Sequence, residues 1–139
     1  TGLVGVELKK YGFSNFYGAD LSQKLLDLVP KGLYQTLDKV DLNKSINKND
    51  NSYDAVMCVG TFTFGHVKPQ ALDEFIRITK NKGLICFTIN EGIHKEYGFD
   101  KKIKQLNHDN LWKEVEFFKS DYIASKDVNA WLGLYEVIK

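Results

Sequence analysis

Apolar residues follow two alternating patterns along the chain, one typical of amphipathic helices and one typical of buried strands. Apolar positions three and four residues apart predict helices, and short, nearly continuous apolar runs predict strands covered on both faces. The predicted elements are helix 2–10, strand 15–20, helix 21–29, strand 34–42, strand 53–60, helix 70–80, strand 83–90, helix 103–112 and strands 114–123 and 130–139. Gly12 and Pro30 follow the first two helices as stop signals.

Helices that alternate with buried strands predict an α/β fold, in which a mostly parallel sheet is covered on both faces. The last two strands follow one another directly, so we expect an antiparallel pair at one sheet edge. With 139 residues the chain has the length of one domain, and we assign residues 1–139 to a single domain. In such sheets a ligand binds beyond the carboxyl ends of the strands, and candidate site residues are sought there.

The charges nearly cancel, because 19 Lys and Arg face 18 Asp and Glu and leave a formal net charge of +1. No overall field therefore attracts nucleic acid or an anionic membrane, and neither is a predicted partner. Local basic groups occur at Lys9 and Lys10 and at Lys101, Lys102 and Lys104, where solvated helix faces are the favoured interpretation.

Cysteine usage and hydropathy favour a cytoplasmic location. Cys58 and Cys86 each lie in a short apolar run, which predicts buried, reduced thiols rather than a disulfide. The sequence has no apolar run of about 18 residues, the length needed to cross a bilayer.

The opening residues TGLVG place Gly2 and Gly5 three apart, ahead of an amphipathic run, like the second half of a G-x-G-x-x-G turn that enters a helix. Asp20 ends the first predicted strand, eighteen residues after Gly2. That offset is close to the one of about 20 residues at which a dinucleotide-type site places an acid on the ribose hydroxyls. Asp20 could instead cap the helix that follows, but its spacing from the glycines favours the ribose role.

Two further strand ends carry candidate binding residues. At Asp41 and Leu42 the acid could accept the exocyclic amine of an adenine while the next backbone N–H meets a ring nitrogen, although a simple turn aspartate is an equal alternative. The third strand ends in VGTFTFGH, where Gly60 lets a ligand approach the backbone. Phe62 and Phe64 there could wall a pocket or pack in the core.

With the glycine turn, Asp20, Asp41-Leu42, YDAVMCVGTF and NKGLICFTI in this order, the sequence resembles the class I S-adenosylmethionine-dependent methyltransferases. The stretch DNSYDAVMCVGTFTFGHVKPQALDEFIRITKNKGLICFTINEG looks most like the methyltransferase-like proteins of the Williams-Beuren syndrome region. The resemblance implies a Rossmann-like sheet with strand order 3-2-1-4-5-7-6 and an antiparallel seventh strand. It also implies that the first strand and an acidic glycine-rich turn would precede TG, so we expect an N-terminally truncated domain.

The resemblance implies S-adenosylmethionine as cofactor and assigns the site residues one by one. Thr1 and Gly2 would approach its methionine end, Asp20 would bind the ribose diol, Leu21 would pack on adenine, Asp41 and Leu42 would hold the adenine edge, and the backbone at Val59 and Gly60 would face the methionine amino group. Asn90 and Glu91 would border the acceptor. No metal is expected, because His66, His94 and His108 lack a recognisable ligand spacing.

Methyl transfer from a sulfonium is an in-line displacement, so positioning supplies much of the catalysis and no protein nucleophile is required. A hydroxyl or protonated amine as acceptor could need a general base, for which His66 is the candidate and Tyr97 a weaker one. The expected acceptor is a small molecule or a protein. Strand edges left exposed in a truncated domain could also mediate self-association.

Two alternatives to this enzyme stay open. The first is a non-catalytic S-adenosylmethionine-binding or scaffold protein, a truncated form that keeps the fold without turnover. The second is a nicotinamide-dependent Rossmann protein, against which the final strand pair and the Asp41-Leu42 adenine site argue.

Overall fold

The computed structural model describes residues 1–65, 67–123 and 128–139, with the backbone alone for 122 and 123. It divides into two compact units, Thr1–Ile46 and Asn47–Lys139, and each is described by itself below. The assignment of residues 1–139 to one domain stays a prediction.

The first unit contains two helices and two parallel strands. Its elements are α1 (Leu3–Lys10), β1 (Tyr17–Asp20), α2 (Gln23–Leu26) and β2 (Thr36–Lys39). The strands pair from Tyr17 with Thr36 to Asp20 with Lys39. The order and type of these four elements confirm the prediction from the sequence. The elements α2 and β2 are shorter than predicted. The helix begins at Gln23 because the Ser22 side chain caps it by accepting the Leu25 N–H.

The second unit holds a four-stranded sheet in the order β3-β4-β6-β5. Its elements are β3 (Tyr53–Phe62), α3 (Ala71–Ile78), β4 (Thr79–Asn90), α4 (Glu91–Glu96), α5 (Phe99–His108), β5 (Trp112–Ile123) and β6 (Val128–Val137). β3 and β4 are parallel, and β6 runs antiparallel to both β4 and β5. The strands β3, β4, β5 and β6 correspond to strands 4, 5, 6 and 7 of the family order 3-2-1-4-5-7-6. The last strand, β6, therefore lies between β4 and β5, as that order requires. The α/β fold with a mostly parallel sheet and one antiparallel strand is confirmed.

Several predicted boundaries in this unit are wrong, two of them by four residues or more at one end. The helix predicted over 103–112 ends at His108, and Trp112 already begins β5. Asn110 makes the turn between them with a φ of 53°. The strand predicted over 83–90 already begins at Thr79, and Asp54 alone stands opposite residues 80–83 in a large bulge.

The expectation that β3 is buried on both faces is also wrong. Cys58 and Phe62 are buried, whereas Met57 and Val59 are 44% and 39% exposed. Side chains alternate between the two faces of a strand, and β3 ends the strand order of its sheet. The continuous apolar run of β3 therefore forms a strand in which only the face that carries Cys58 and Phe62 is covered.

An aromatic cluster forms the core of the second unit. The ring centroid of Phe62 lies 4.8 Å from that of Phe99, 6.0 Å from Phe75 and 6.1 Å from Phe87. The predicted apolar stripe of α3 is confirmed, and Leu72, Phe75, Ile76 and Ile78 are all buried. In the described ranges no helix is both long and apolar enough to cross a membrane.

Candidate functional site

The carboxyl ends of β1 and β2 bring two predicted site residues to one edge of the first unit. Asp20 is the last residue of β1, and Asp41 follows two residues after β2 ends at Lys39. The Val40 N–H donates to the Asp20 carbonyl across 2.9 Å and continues the strand ladder up to Asp41. Adjacent strands are about 4.8 Å apart, so both aspartates lie at the same edge of this two-stranded sheet, where a ligand is predicted to bind.

Asp20 is half-buried and uses one carboxylate oxygen to fix its own turn. Its Oδ1 accepts the Ser22 N–H at 2.8 Å. Ser22, rather than Asp20, is the N-cap of α2, so the capping alternative does not account for Asp20. Its second oxygen has no hydrogen-bond partner in the part of the chain that the structure describes. Leu21, directly after it, exposes 61% of its surface.

Asp41 is a turn residue, as the alternative interpretation held. Its Oδ1 accepts the Asn43 N–H at 3.0 Å, and its Oδ2 lies 3.6 Å from the Lys44 ammonium. Lys44 is 78% exposed, so solvent screens this pair. Leu42 is half-buried beside it. The turn itself uses only Oδ1, and among the residues described Oδ2 contacts only the exposed Lys44 ammonium.

The start of α1 places the glycine turn. Gly2 is the N-cap of the helix with a φ of 83°, a conformation that favours glycine, and no side chain caps the helix there. A Cβ at Gly2 would also approach Val29 at 3.1 Å and Pro30 at 3.3 Å. Thr1 is exposed ahead of it. The helix start therefore keeps backbone N–H groups without a side-chain cap, which suits an anionic or polar ligand.

Tyr34 is a residue of this unit that sequence reasoning missed. Its hydroxyl accepts the Gly5 N–H at 3.0 Å, and a Cβ at Gly5 would lie 2.6 Å from that hydroxyl. A Cβ at Gly18 would meet the Tyr34 ring at 3.1 Å and Leu37 at 2.7 Å. Glycines in both α1 and β1 were the available signal that a large side chain packs against them.

In the second unit the predicted residues Val59 and Gly60 lie at an irregularity of β3. Gly60 has a φ of 76°, and its N–H donates to the Thr88 hydroxyl at 2.9 Å. The pairing register shifts between Cys58 and Phe62. Thr88 is buried, and the sequence alone did not mark it. The bulge turns the strand backbone locally at the position proposed for ligand approach.

Asn90 and Glu91 mark the carboxyl end of β4. The Asn90 side chain caps α4 by accepting the Gly92 N–H at 2.9 Å. Glu91 pairs with Lys119 of β5 and accepts a hydrogen bond from Asn129 of β6 at 3.3 Å. The bond from Lys119, foremost, holds the pKa of Glu91 below its usual value. Glu91 thus links three strands where the acceptor was expected.

The proposed base, His66, lies outside the described residues, and its role stays a prediction. Tyr97, the weaker candidate, already accepts the Gly65 N–H at 3.1 Å. His94 is buried with its ring centroid 5.0 Å from that of Trp131, and burial lowers its pKa. His108 is exposed beside Asp109. The described ranges contain no group of three or more His, Cys, Asp or Glu side chains that could hold a metal ion.

Comparison with known proteins agrees with this fold. The family described as "Methyltransferase domain" matches residues 1–87, which is more than half of the chain. Methyltransferase-like protein 27 of Homo sapiens is 30% identical over 137 residues, covering 95% of this chain and 55% of its own length. The chain therefore spans about half the length of this curated relative.

Solved structures share the fold at low identity. N-methyltransferase NodS from Bradyrhizobium japonicum WM9, in complex with S-adenosyl-L-homocysteine, matches with a TM-score of 0.63 and 10% identity, over 87% of this chain and 65% of its own. The [4+2]-cyclase SpnF matches with a TM-score of 0.74 and 10% identity, over 99% and 71%. At such identities the likeness shows the fold alone, and the cyclase demonstrates that this fold does not fix one reaction.

The fold and the domain match define a class, that of the class I S-adenosylmethionine-dependent methyltransferases, whose cofactor is S-adenosylmethionine. This chain belongs to the methyltransferase domain family. The narrower likeness to the Williams-Beuren group stays a prediction.

Proposed function

We propose that this chain carries the S-adenosylmethionine site of a methyltransferase that acts by in-line displacement on a small-molecule or protein acceptor. The observation that carries the proposal is the pair of carboxylates, Asp20 and Asp41, at the carboxyl ends of two adjacent parallel strands. Each keeps a carboxylate oxygen that no backbone N–H occupies. Such oxygens suit ribose hydroxyls and an exocyclic amine, which are hydrogen-bond donors.

The surrounding residues fit a nucleoside-type cofactor. Leu21 offers exposed apolar surface beside Asp20, as an adenine ring requires, and Leu42 lies next to Asp41. The backbone from Thr1 to the start of α1 is proposed for the methionine end of the cofactor. Val59 and Gly60 are proposed for its amino group, and the left-handed conformation of Gly60 supports close approach.

S-adenosylmethionine would supply the methyl group as a substituent of its sulfonium sulfur. The residues of the chain bind and orient, and none needs to act as nucleophile. His66 is the proposed base for an acceptor that must lose a proton. Glu91 would border the acceptor, because Lys119 and Asn129 hold its carboxylate at the end of β4.

The non-catalytic scaffold stays an alternative without a supporting observation. Cytoplasmic localisation and self-association through strand edges stay predictions from the sequence. The acceptor is not identified, and the activity of the whole protein is part of the proposal.

Two binding titrations and one turnover assay test the proposal. S-adenosylhomocysteine should bind saturably and NAD⁺ should not, because the site is assigned to a methionine-linked nucleoside. The unaltered chain should also transfer a labelled methyl group from S-adenosylmethionine to a component of cell extract. NAD⁺ binding as tight as that of S-adenosylhomocysteine would refute the cofactor assignment, and cofactor binding without any transfer would favour the scaffold.

A further inference from the structure

A groove in the first unit lies apart from the strand-end carboxylates. It is a depression of about 340 Å³ between α1 and the segment that follows α2. We name it the lysine groove and define it by its lining residues, Val6, Lys9, Lys10, Pro30, Lys31 and Leu33. None of the proposed cofactor residues lines it, although Gly2 packs close to Pro30 and Leu33, which do.

The lysine groove has an apolar floor. Val6, Pro30 and Leu33 supply aliphatic surface, and Val6 is 38% exposed. Leu3 lies one helical turn before Val6, on the same face of α1, and is 75% exposed. The apolar surface therefore continues along α1 toward its start, where it would take an apolar side chain of a bound segment.

Three lysines add positive charge to this floor. Lys10 is paired with Glu7 at 2.6 Å, but Lys9 and Lys31 have no carboxylate partner among the described residues. The helix dipole explains a preference for Lys9 and Lys10 in the last turn of α1. It does not explain Lys31, which lies outside the helices and faces the same groove.

We propose that the lysine groove docks an acidic segment of a partner protein, which inserts an apolar side chain against Val6 and Pro30 and places carboxylates on Lys9 and Lys31. The charge of the rim selects an anion, and the apolar floor favours a peptide over a nucleic acid, whose phosphates gain nothing from aliphatic surface. A short amphipathic helix with leucine and glutamate on one face has this chemistry. The inference stands independently of the proposed methyl transfer.

The probe is a fluorescein-labelled amphipathic helical peptide that carries leucine and glutamate on one face. Its binding to the full chain is measured by fluorescence anisotropy. Saturable binding that weakens with added salt is expected. Lys31→Glu should weaken it about tenfold, and Val6→Ser should weaken it similarly through lost apolar contact. Lys24→Glu is the matched control, because Lys24 is an exposed lysine of α2 outside the groove, and binding should not change beyond the effect of net charge.

Circular dichroism first establishes that each variant is folded. Equal weakening by Lys31→Glu and Lys24→Glu would reduce the effect to overall charge and overturn the proposal. Absence of saturable binding below about 1 mM would do the same. So would an oligothymidine of equal charge that binds as tightly as the peptide, because nucleic acid would then be the better occupant.

Discussion

The hydroxyl of Tyr34 accepts the backbone N–H of Gly5 across 3.0 Å, and so joins the first turn of α1 to the segment that leads into β2. Gly5 is buried, and no side chain larger than hydrogen fits beneath the Tyr34 ring. The N–H groups in the first turn of a helix have no intrahelical acceptor, so Tyr34 satisfies one that would otherwise be buried without a partner. This contact holds the helix whose start carries Gly2.

Tyr34→Phe should therefore lower the free energy of unfolding by about 1–2 kcal/mol, because it leaves the Gly5 N–H without an acceptor. Urea denaturation of the two proteins measures the difference. Tyr11→Phe is the matched control, since Tyr11 is 74% exposed and its loss of a hydroxyl should have little effect. An equal loss in both variants would show that the Tyr34 hydroxyl has no special role.

Thr88→Val should destabilise the bulge at Gly60. The substitution keeps the shape of the side chain but removes the oxygen that accepts the Gly60 N–H at 2.9 Å. The expected loss is about 1–2 kcal/mol in the free energy of unfolding, with weaker binding of S-adenosylhomocysteine if the bulge positions the cofactor. Thr36→Val, at an exposed position of β2, should change stability by less than about 0.5 kcal/mol. An unchanged free energy of unfolding in Thr88→Val would show that this hydrogen bond does not stabilise the fold.

The buried thiol of Cys58 should make the stability of the fold depend on alkaline pH. Burial, foremost, raises its pKa from 9.0 to about 12. The unfolded chain loses this proton first, so the stabilisation is complete below pH 9 and falls as the pH rises from 9 toward 12. Cys58→Ala should show a shallower fall over that range in urea denaturation. Parallel pH profiles for the two proteins would contradict the burial of the thiol.

The order of elements could be predicted from the sequence because periodicity depends on local chemistry. The α3 stripe and the two parallel pairs followed from apolar spacing and from the alternation of helix with strand. The positions of Asp20 and Asp41 at strand ends also followed, since a carboxylate at the end of a predicted strand is visible in the sequence itself. Strand order, by contrast, came from the resemblance to a family.

Contacts between distant residues could not be predicted. Tyr34 and Gly5 are 29 positions apart, Gly60 and Thr88 are 28 apart, and neither pair has a local pattern. The one-sided burial of β3 was missed because an apolar run does not show whether other elements pack on one face of the strand or on both. The placement of Asn110 in a left-handed turn ended α5 earlier than its apolar pattern suggested.

The most direct test of the cofactor assignment is a calorimetric titration of S-adenosylhomocysteine into three proteins: the unaltered chain, Asp20→Asn and Asp27→Asn. Asparagine at position 20 can still accept the Ser22 N–H, so the turn should persist while the charge and one acceptor oxygen are lost. Asp27 is exposed in the same unit and is the matched control for charge. We expect saturable binding that weakens at least about tenfold in Asp20→Asn alone. Equal affinity in all three proteins, or no binding by the unaltered chain, would contradict the cofactor assignment.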